Sequence, residues 1–254
     1  MKDFTLKYTD NDNEKILLRK INDFIRKSEK NYCTVYSNFL TPAEQSLISE
    51  IDEFKGYIDF DGGYENAERR LCRIKANEYC HDDALPIKLY SLIAPADAEF
   101  SHRDVLGSLM GLGIKREMTG DIIVDGRKAH FFCCNPISEF VELNFKKIGH
   151  YPIILKQDML SEIPVPKTKD ININVSSMRI DSIAAECFGI SRTKAADFIK
   201  RGLVSVNWLV CTNTSKEVKS GDKISMRGKG KVEICGISGK SKKGRLFVDI
   251  KKYV

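Results

Sequence analysis

The chain has 254 residues, 42% of them hydrophobic and 30% charged, a balance that excludes a disordered polymer and leaves room for two or three domains. No apolar run approaches the roughly 18 residues a membrane helix needs. The polar start MKDFTLKYTDNDNEK lacks the apolar core of a secretory signal, so a cytoplasmic protein without a membrane partner is expected. The formal charge of +6 is unevenly placed: residues 171–254 carry 17 Lys and Arg against 7 Asp and Glu, a net of +10, while residues 1–170 carry 24 against 28, a net of −4. One strongly basic end points to a polyanionic partner.

The first 55 residues read as helical. NEKILLRKINDFIRKSEK places apolar residues at 16, 17, 21, 24 and 25, near helical spacing. FLTPAEQSLISEIDEF is a second helix, with Thr41 as N-cap, Pro42 at the first helical position, Glu44 closing a capping box, and Phe39 and Leu40 placed to staple its entry. GYIDFDGGYENAERRLCRIKA predicts two strands around the turn DGG. These elements make a small N-terminal α+β unit, residues 1–80.

Residues 81–160 have a more regular order. LPIKLYSLIA is a strand, and SHRDVLGSLMGLGI is a helix with Ser101 as N-cap and Asp104 three residues on. TGDIIV and KAHFFCC are strands joined through Asp-Gly, a hairpin signal. PISEFVELNFKKIG is a helix running from Pro136 to Gly149, and YPIILKQ is a last strand. The order βαββαβ predicts a ferredoxin-like plait. RNA-recognition modules share that topology, as do many unrelated proteins. Phe131 and Phe132, on its third strand, are candidates for base stacking, although adjacent strand residues face opposite sides and at least one is expected in the core. SEIPVPKTKD, residues 161–170, is a linker.

The last domain, residues 171–254, carries the basic charge. Ile180, Ile183, Ala184 and Cys187 form one helical stripe ending at Gly189. Ser191 caps a second helix whose Ala195, Phe198 and Ile199 turn toward the first. Lys194 and Arg201, seven apart, share the opposite face, with Lys200 beside them. Arg192 sits in the first turn, where the helix dipole attracts anions; a cation there does not help the helix and makes sense if a phosphate is bound. After Gly202 come the strand LVSV, the tight turn Asn207–Trp208, and further strands in VKSGDKISMRGKGKVEI and GRLFVDI.

Residues 178–227, with RID in the first helix, SRTKA capping the second, IKRGLVSVN and VKSGDKISMR, resemble the S4 RNA-binding domain, an αL-type fold. SHRDVLGSLMGLGIKREMTGDIIV, the Asn-Trp turn, SMRGKGK and SKKGRL extend the resemblance to the YlmH family over nearly the whole chain, most weakly over the first 80 residues. Ser241 stands where that family pattern suggests Thr. The resemblance implies an RNA-binding middle domain and a role in ribosome-associated quality control on the large ribosomal subunit holding a stalled peptidyl-tRNA. It also implies a link to cell division, which leaves a protein-binding scaffold as an alternative, with an rRNA-modifying enzyme as a third reading behind it.

The expected partners are therefore rRNA on the large subunit, with tRNA as an open addition. Arg192, Lys194, Lys200 and Arg201 are the expected phosphate contacts. Arg179, Arg227, Lys229, Lys242, Lys243 and Arg245 widen the surface, and Trp208 either stacks on a base or enters the core. His102, Arg103, Lys115 and Arg116 are candidates for a second RNA contact.

Catalytic readings fail on context. HRD at 102–104 lacks the Asn that a kinase loop carries five residues on, Leu109 standing there instead. RID at 179–181 lacks the catalytic domain of a pseudouridine synthase, and Asp181 is expected to pair with a neighbouring basic residue. GLGIKREMTG follows a helix, not a strand, so it does not suit a methyltransferase cofactor. His81, His130 and His150 have no nucleophile beside them. The eight cysteines, Cys33, Cys72, Cys80, Cys133, Cys134, Cys187, Cys211 and Cys235, form no C-x-x-C pair. Cys72, Cys80 and His81 come nearest to a metal set and lack a second pair. No catalytic residue, cofactor or metal is expected.

Overall fold

The computed structural model describes residues 4–80, 84–158, 168–242 and 244–253. The chain divides into two compact units, Met1–Pro164 and Val165–Val254, and is mixed α and β throughout. Among the described residues no helix is long and apolar enough to cross a membrane.

The first unit opens with helix α1, Asp12–Asn31, capped by Asn11. Its buried stripe is Leu18, Ile21, Ile25 and Ser28, while Ile16, expected to face inward, is exposed. Strand β1, Val35–Leu40, follows. The sequence reading placed this segment before a helix and missed the strand, although Val35, Ser37 and Phe39 are buried alternately. Helix α2, Pro42–Ser49, has the predicted cap: the Glu44 carboxylate accepts from the Thr41 backbone N–H at 2.6 Å, and the Thr41 hydroxyl accepts from the Glu44 N–H at 3.3 Å. Strands β2, Ile58–Asp61, and β3, Arg70–Ile74, complete an antiparallel sheet in the order β1-β3-β2. Leu18, Ile21, Ile48, Phe54 and Ile74 fill its core against the two helices.

The same unit continues with β4, Ile87–Ile93, helix α3, His102–Gly111, β5, Thr119–Asp125, β6, Lys128–Cys134, and helix α4, Ser138–Asn144. Strands β7, Lys147–Ile148, and β8, Tyr151–Pro152, form a small hairpin before β9, Ile154–Asp158. The four-stranded antiparallel sheet runs β5-β6-β4-β9, so the first strand lies between the third and the fourth, as in a ferredoxin-like plait. Gly126, at φ 62°, takes the first position of the two-residue turn between β5 and β6. The helix expected to reach Gly149 stops at Asn144. Phe145 turns inward to meet Phe131 edge-on, its ring centroid 5.6 Å away, and Lys147 enters the hairpin instead.

One face of the plait packs on α3 and α4 through Tyr90, Leu92, Val105, Leu109, Phe131 and Val141. Part of the other face is covered by the N-terminal sheet: Phe39 and Leu71 join Leu89, Phe132 and Cys134 in one cluster, and the Tyr64 ring stacks on Phe132 at 5.5 Å. Polar contacts reinforce this seam. Asp121 accepts from the Tyr64 hydroxyl at 2.7 Å and from the backbone N–H groups of Glu68 and Arg69 at 2.6 and 3.0 Å. Gly120 is required there, because a Cβ would lie 2.7 Å from Phe39 and 2.9 Å from Phe132.

The second unit begins with β10, Thr168–Val175, so the last three residues of the predicted linker are strand. The rest of that linker lies outside the described residues. Helices α5, Ile180–Phe188, and α6, Arg192–Lys200, come next. They are followed by β11, Val204–Val206, β12, Leu209–Val210, β13, Lys223–Met226, β14, Gly230–Lys240, and β15, Leu246–Tyr253. These strands make an antiparallel sheet in the order β10-β15-β14-β13-β11-β12, leaving the two-residue β12 at one edge. Val175, Ile183, Ile199, Val206, Ile224, Val232 and Val248 are among the side chains of its core.

Candidate nucleic-acid interface

The basic helix is set by its neighbours. Gly189, at φ 62°, ends α5 in a left-handed conformation that favours glycine, and the chain turns directly into the cap of α6. The Ser191 hydroxyl accepts from the Lys194 N–H at 3.2 Å. Ala195 and Ile199 are wholly buried, and Phe198 packs against the same core. With that face fixed inward, the 3.6-residue repeat leaves Lys194, Lys200 and Arg201 exposed. Arg201 lies 3.4 Å from Asp197, an exposed pair of little energetic weight. Lys194 and Lys200 form no ion pair with a described residue.

Arg192 has a partner inside the fold. Asp181, only 5% exposed, accepts from Arg179 at 3.2 and 3.0 Å and from Arg192 at 3.1 and 3.2 Å. This carboxylate explains a cation in the first turn of α6 without any phosphate, and it ties that turn to the start of α5. It also fixes two guanidinium groups side by side at the surface. Burial pushes the Asp181 carboxyl up, but the hydrogen bonds from Arg179 and Arg192 outweigh it and hold the group below the ordinary carboxylate value. Such a depressed group adds stability that is complete above its unfolded pKa of about 3.9 and is lost as pH falls through its lower folded value. Asp181→Asn is therefore expected to destabilise this unit by about 2–3 kcal/mol at pH 7, and by progressively less as pH falls below about 4. Urea unfolding of the two proteins at pH 7 and pH 3 measures it.

The remaining predicted residues are spread over several turns. Arg227 and Lys229 are exposed in the β13–β14 turn, and the Arg227 N–H donates to the Leu203 carbonyl at 2.9 Å, which places that turn beside the end of α6. Arg245 lies elsewhere. Its Nε donates to Asn174 Oδ1 at 2.7 Å, and it approaches Glu186 to 3.8 Å. Lys242 is exposed in the β14–β15 turn, and Lys243 lies outside the described residues.

Trp208 occupies the second position of the β11–β12 turn at φ 65°, after Asn207 at φ 49°. Two positive φ angles define the hairpin turn that ordinarily takes Asn-Gly. Asn207 fits through its hydrogen bonds: its amide donates to Asp222 at 2.8 Å and its side-chain oxygen accepts from the Lys223 N–H at 2.9 Å. Among the described residues the Trp208 side chain makes no such hydrogen bond, and a left-handed conformation costs a residue with a Cβ about 1–2 kcal/mol. Trp208 stays half-buried and outside the hydrophobic core, with Lys223 Nζ 5.4 Å from its ring centroid. The sequence reading missed Lys223, whose signal was its place just after the Gly-Asp of the adjoining turn.

In the first unit His102, Arg103 and Lys115 are exposed. Arg116 is turned inward: its guanidinium donates to the carbonyls of Thr119 and Gly120 at 2.6 and 3.0 Å. Burial, and then the neighbouring Arg69 charge, push its pKa down to about 10. Phe131 and Phe132 are both 0% exposed, so neither is available to stack on RNA. Each faces a different core, one the helices and the other the N-terminal sheet.

Comparison with known proteins agrees with this division. Residues 83–162 match the family model described as "Putative RNA-binding domain in YlmH", and residues 178–224 match the S4 domain. The chain is 31% identical over 249 residues to the "Ribosome-associated protein quality control protein P2" of Bacillus subtilis (strain 168), covering 94% of this chain and 95% of the relative. In fold it is similar to the solved "Cell division protein ylmH from Streptococcus pneumoniae", with a TM-score of 0.52 and 21% identity over 61% of this chain and 96% of that one. The two family models in one chain, together with 31% identity over nearly the full length of the Bacillus relative, show that the chain belongs to the YlmH family of RNA-binding S4-domain proteins.

Proposed function

We propose that this chain is a non-catalytic factor that binds rRNA on the large ribosomal subunit and acts in ribosome-associated quality control, where a stalled peptidyl-tRNA remains on that subunit. The observation that carries the reading is the set of exposed cations Lys194, Lys200 and Arg201 on α6, the helix whose first turn also carries Arg192, paired with Arg179 on Asp181. Such cations bind a phosphate backbone by releasing its counterions, and A-form RNA is recognised mainly through shape, backbone and unpaired segments. The name of the Bacillus relative supports the ribosome as the source of that RNA. His102, Arg103 and Lys115 provide the second contact, and two linked contacts strengthen binding through effective concentration. A cell-division scaffold, the role in the pneumococcal protein's name, needs no such set of cations on one helix.

Pelleting of the purified protein with isolated ribosomal subunits tests the reading. Enrichment with large subunits over small ones is expected. Equal recovery with both, or recovery with neither at low salt, contradicts it.

A further inference from the structure

We infer that Trp208 is a stacking platform for one unpaired nucleobase, so that this surface recognises a base face as well as phosphates. The inference rests on the RNA-binding reading of the same unit and adds the class of RNA feature captured. Three observations meet at this turn. The backbone at 208 is left-handed, a conformation glycine adopts freely, and the bulkiest side chain stands there without entering the core. Trp208 is half-buried beside Lys223 but joins no hydrophobic core, so strain kept at this turn is not offset by core packing and points to a role outside the fold.

Two exposed apolar side chains follow the ring in the chain, one on each face of the edge strand. Leu209 and Val210, on the edge strand β12, are 47% and 64% exposed. A Cβ on Gly202 would lie 3.3 Å from Val210 Cγ1, so Val210 lies against the end of α6, which carries exposed Lys200 and Arg201. Lys223 Nζ lies near the Trp208 ring and 4.0 Å from Glu233, whose carboxylate offsets part of its charge, while Arg201 forms an ion pair, among the described residues, only with exposed Asp197.

An indole face with a lysine beside it suits a nucleobase, which offers a π face next to its phosphates. Bases within a duplex are stacked on their neighbours, so the occupant is a base in a loop, bulge or junction.

The sole tryptophan makes this testable in the full chain. The probes are a short RNA hairpin with one bulged adenosine and the same hairpin without the bulge. Quenching of Trp208 fluorescence by the bulged hairpin and not by the paired one is expected. By anisotropy of labelled RNA, Trp208→Gly is expected to weaken binding of the bulged hairpin about tenfold and to leave the paired one unchanged. Trp208→Phe should retain most of the preference. Trp208→Gly should also raise the unfolding midpoint of the unit, because the turn relaxes.

If Trp208→Gly leaves the bulge preference intact while alanine at Lys194, Lys200 and Arg201 abolishes binding, stacking is overturned and the phosphate-binding surface stands. If the wild-type protein binds neither hairpin, both readings fall.

Discussion

Replacing Lys194, Lys200 and Arg201 together by alanine is expected to weaken RNA binding on the order of 100-fold while leaving the fold intact. Each residue is exposed, and among the described residues the only side-chain ion pair of the three is the surface pair of Arg201 with Asp197. Alanine is also a good helix former, so α6 keeps its cap and its buried face. A charge-assisted phosphate contact contributes about 1 kcal/mol, and three of them give the stated factor. The slope of log affinity against log salt should flatten by about 2–3, because three fewer counterions are released. Filter binding at several salt concentrations reads both quantities. Arg192 is left out of this variant because its removal would also disturb Asp181. Arg192→Ala is expected to lower stability and affinity together, and thereby to differ from the other three.

The second large effect concerns stability. Phe132→Ala is expected to lower the unfolding free energy of the first unit by about 3–5 kcal/mol, the usual loss for a buried aromatic side chain. Phe132 is wholly buried between the plait and the N-terminal sheet, where it meets Phe39, Leu71 and the stacked ring of Tyr64. The cavity would open in the shared cluster, so both sheets should lose stability in one transition. Urea denaturation followed by far-ultraviolet circular dichroism measures it, and RNA affinity measured below the transition should be unchanged. A loss of affinity without loss of stability would instead return Phe132 to the RNA surface.

What could be read from the sequence was local. The capping signals at Thr41–Glu44 and Ser101–Asp104 involve residues three apart, and both form as expected. The plait order was legible because its apolar periods switch cleanly and one hairpin turn contains Asp-Gly. The stripes of α5 and α6 identified which basic residues face outward.

The misses come from contacts distant in sequence. β1 reads as part of a helical region because its partner β3 lies some 30–40 residues away in the chain. Phe131 and Phe132 looked available for stacking because nothing near them indicates that Phe39 and Leu71 cover one side. That Arg192 also holds Asp181, eleven positions earlier, was not legible, because the two meet only once both helices pack. Trp208 left stacking and core insertion open, and only the turn geometry shows that it stays outside the core.

Sedimentation of cell lysate through a sucrose gradient, probed for the wild-type chain and for the Lys194/Lys200/Arg201 alanine variant, tests ribosome binding through α6 most directly. The wild type should travel with large subunits and the variant should stay at the top. Wild-type protein at the top of a low-salt gradient, or a variant that still travels with large subunits, would contradict it.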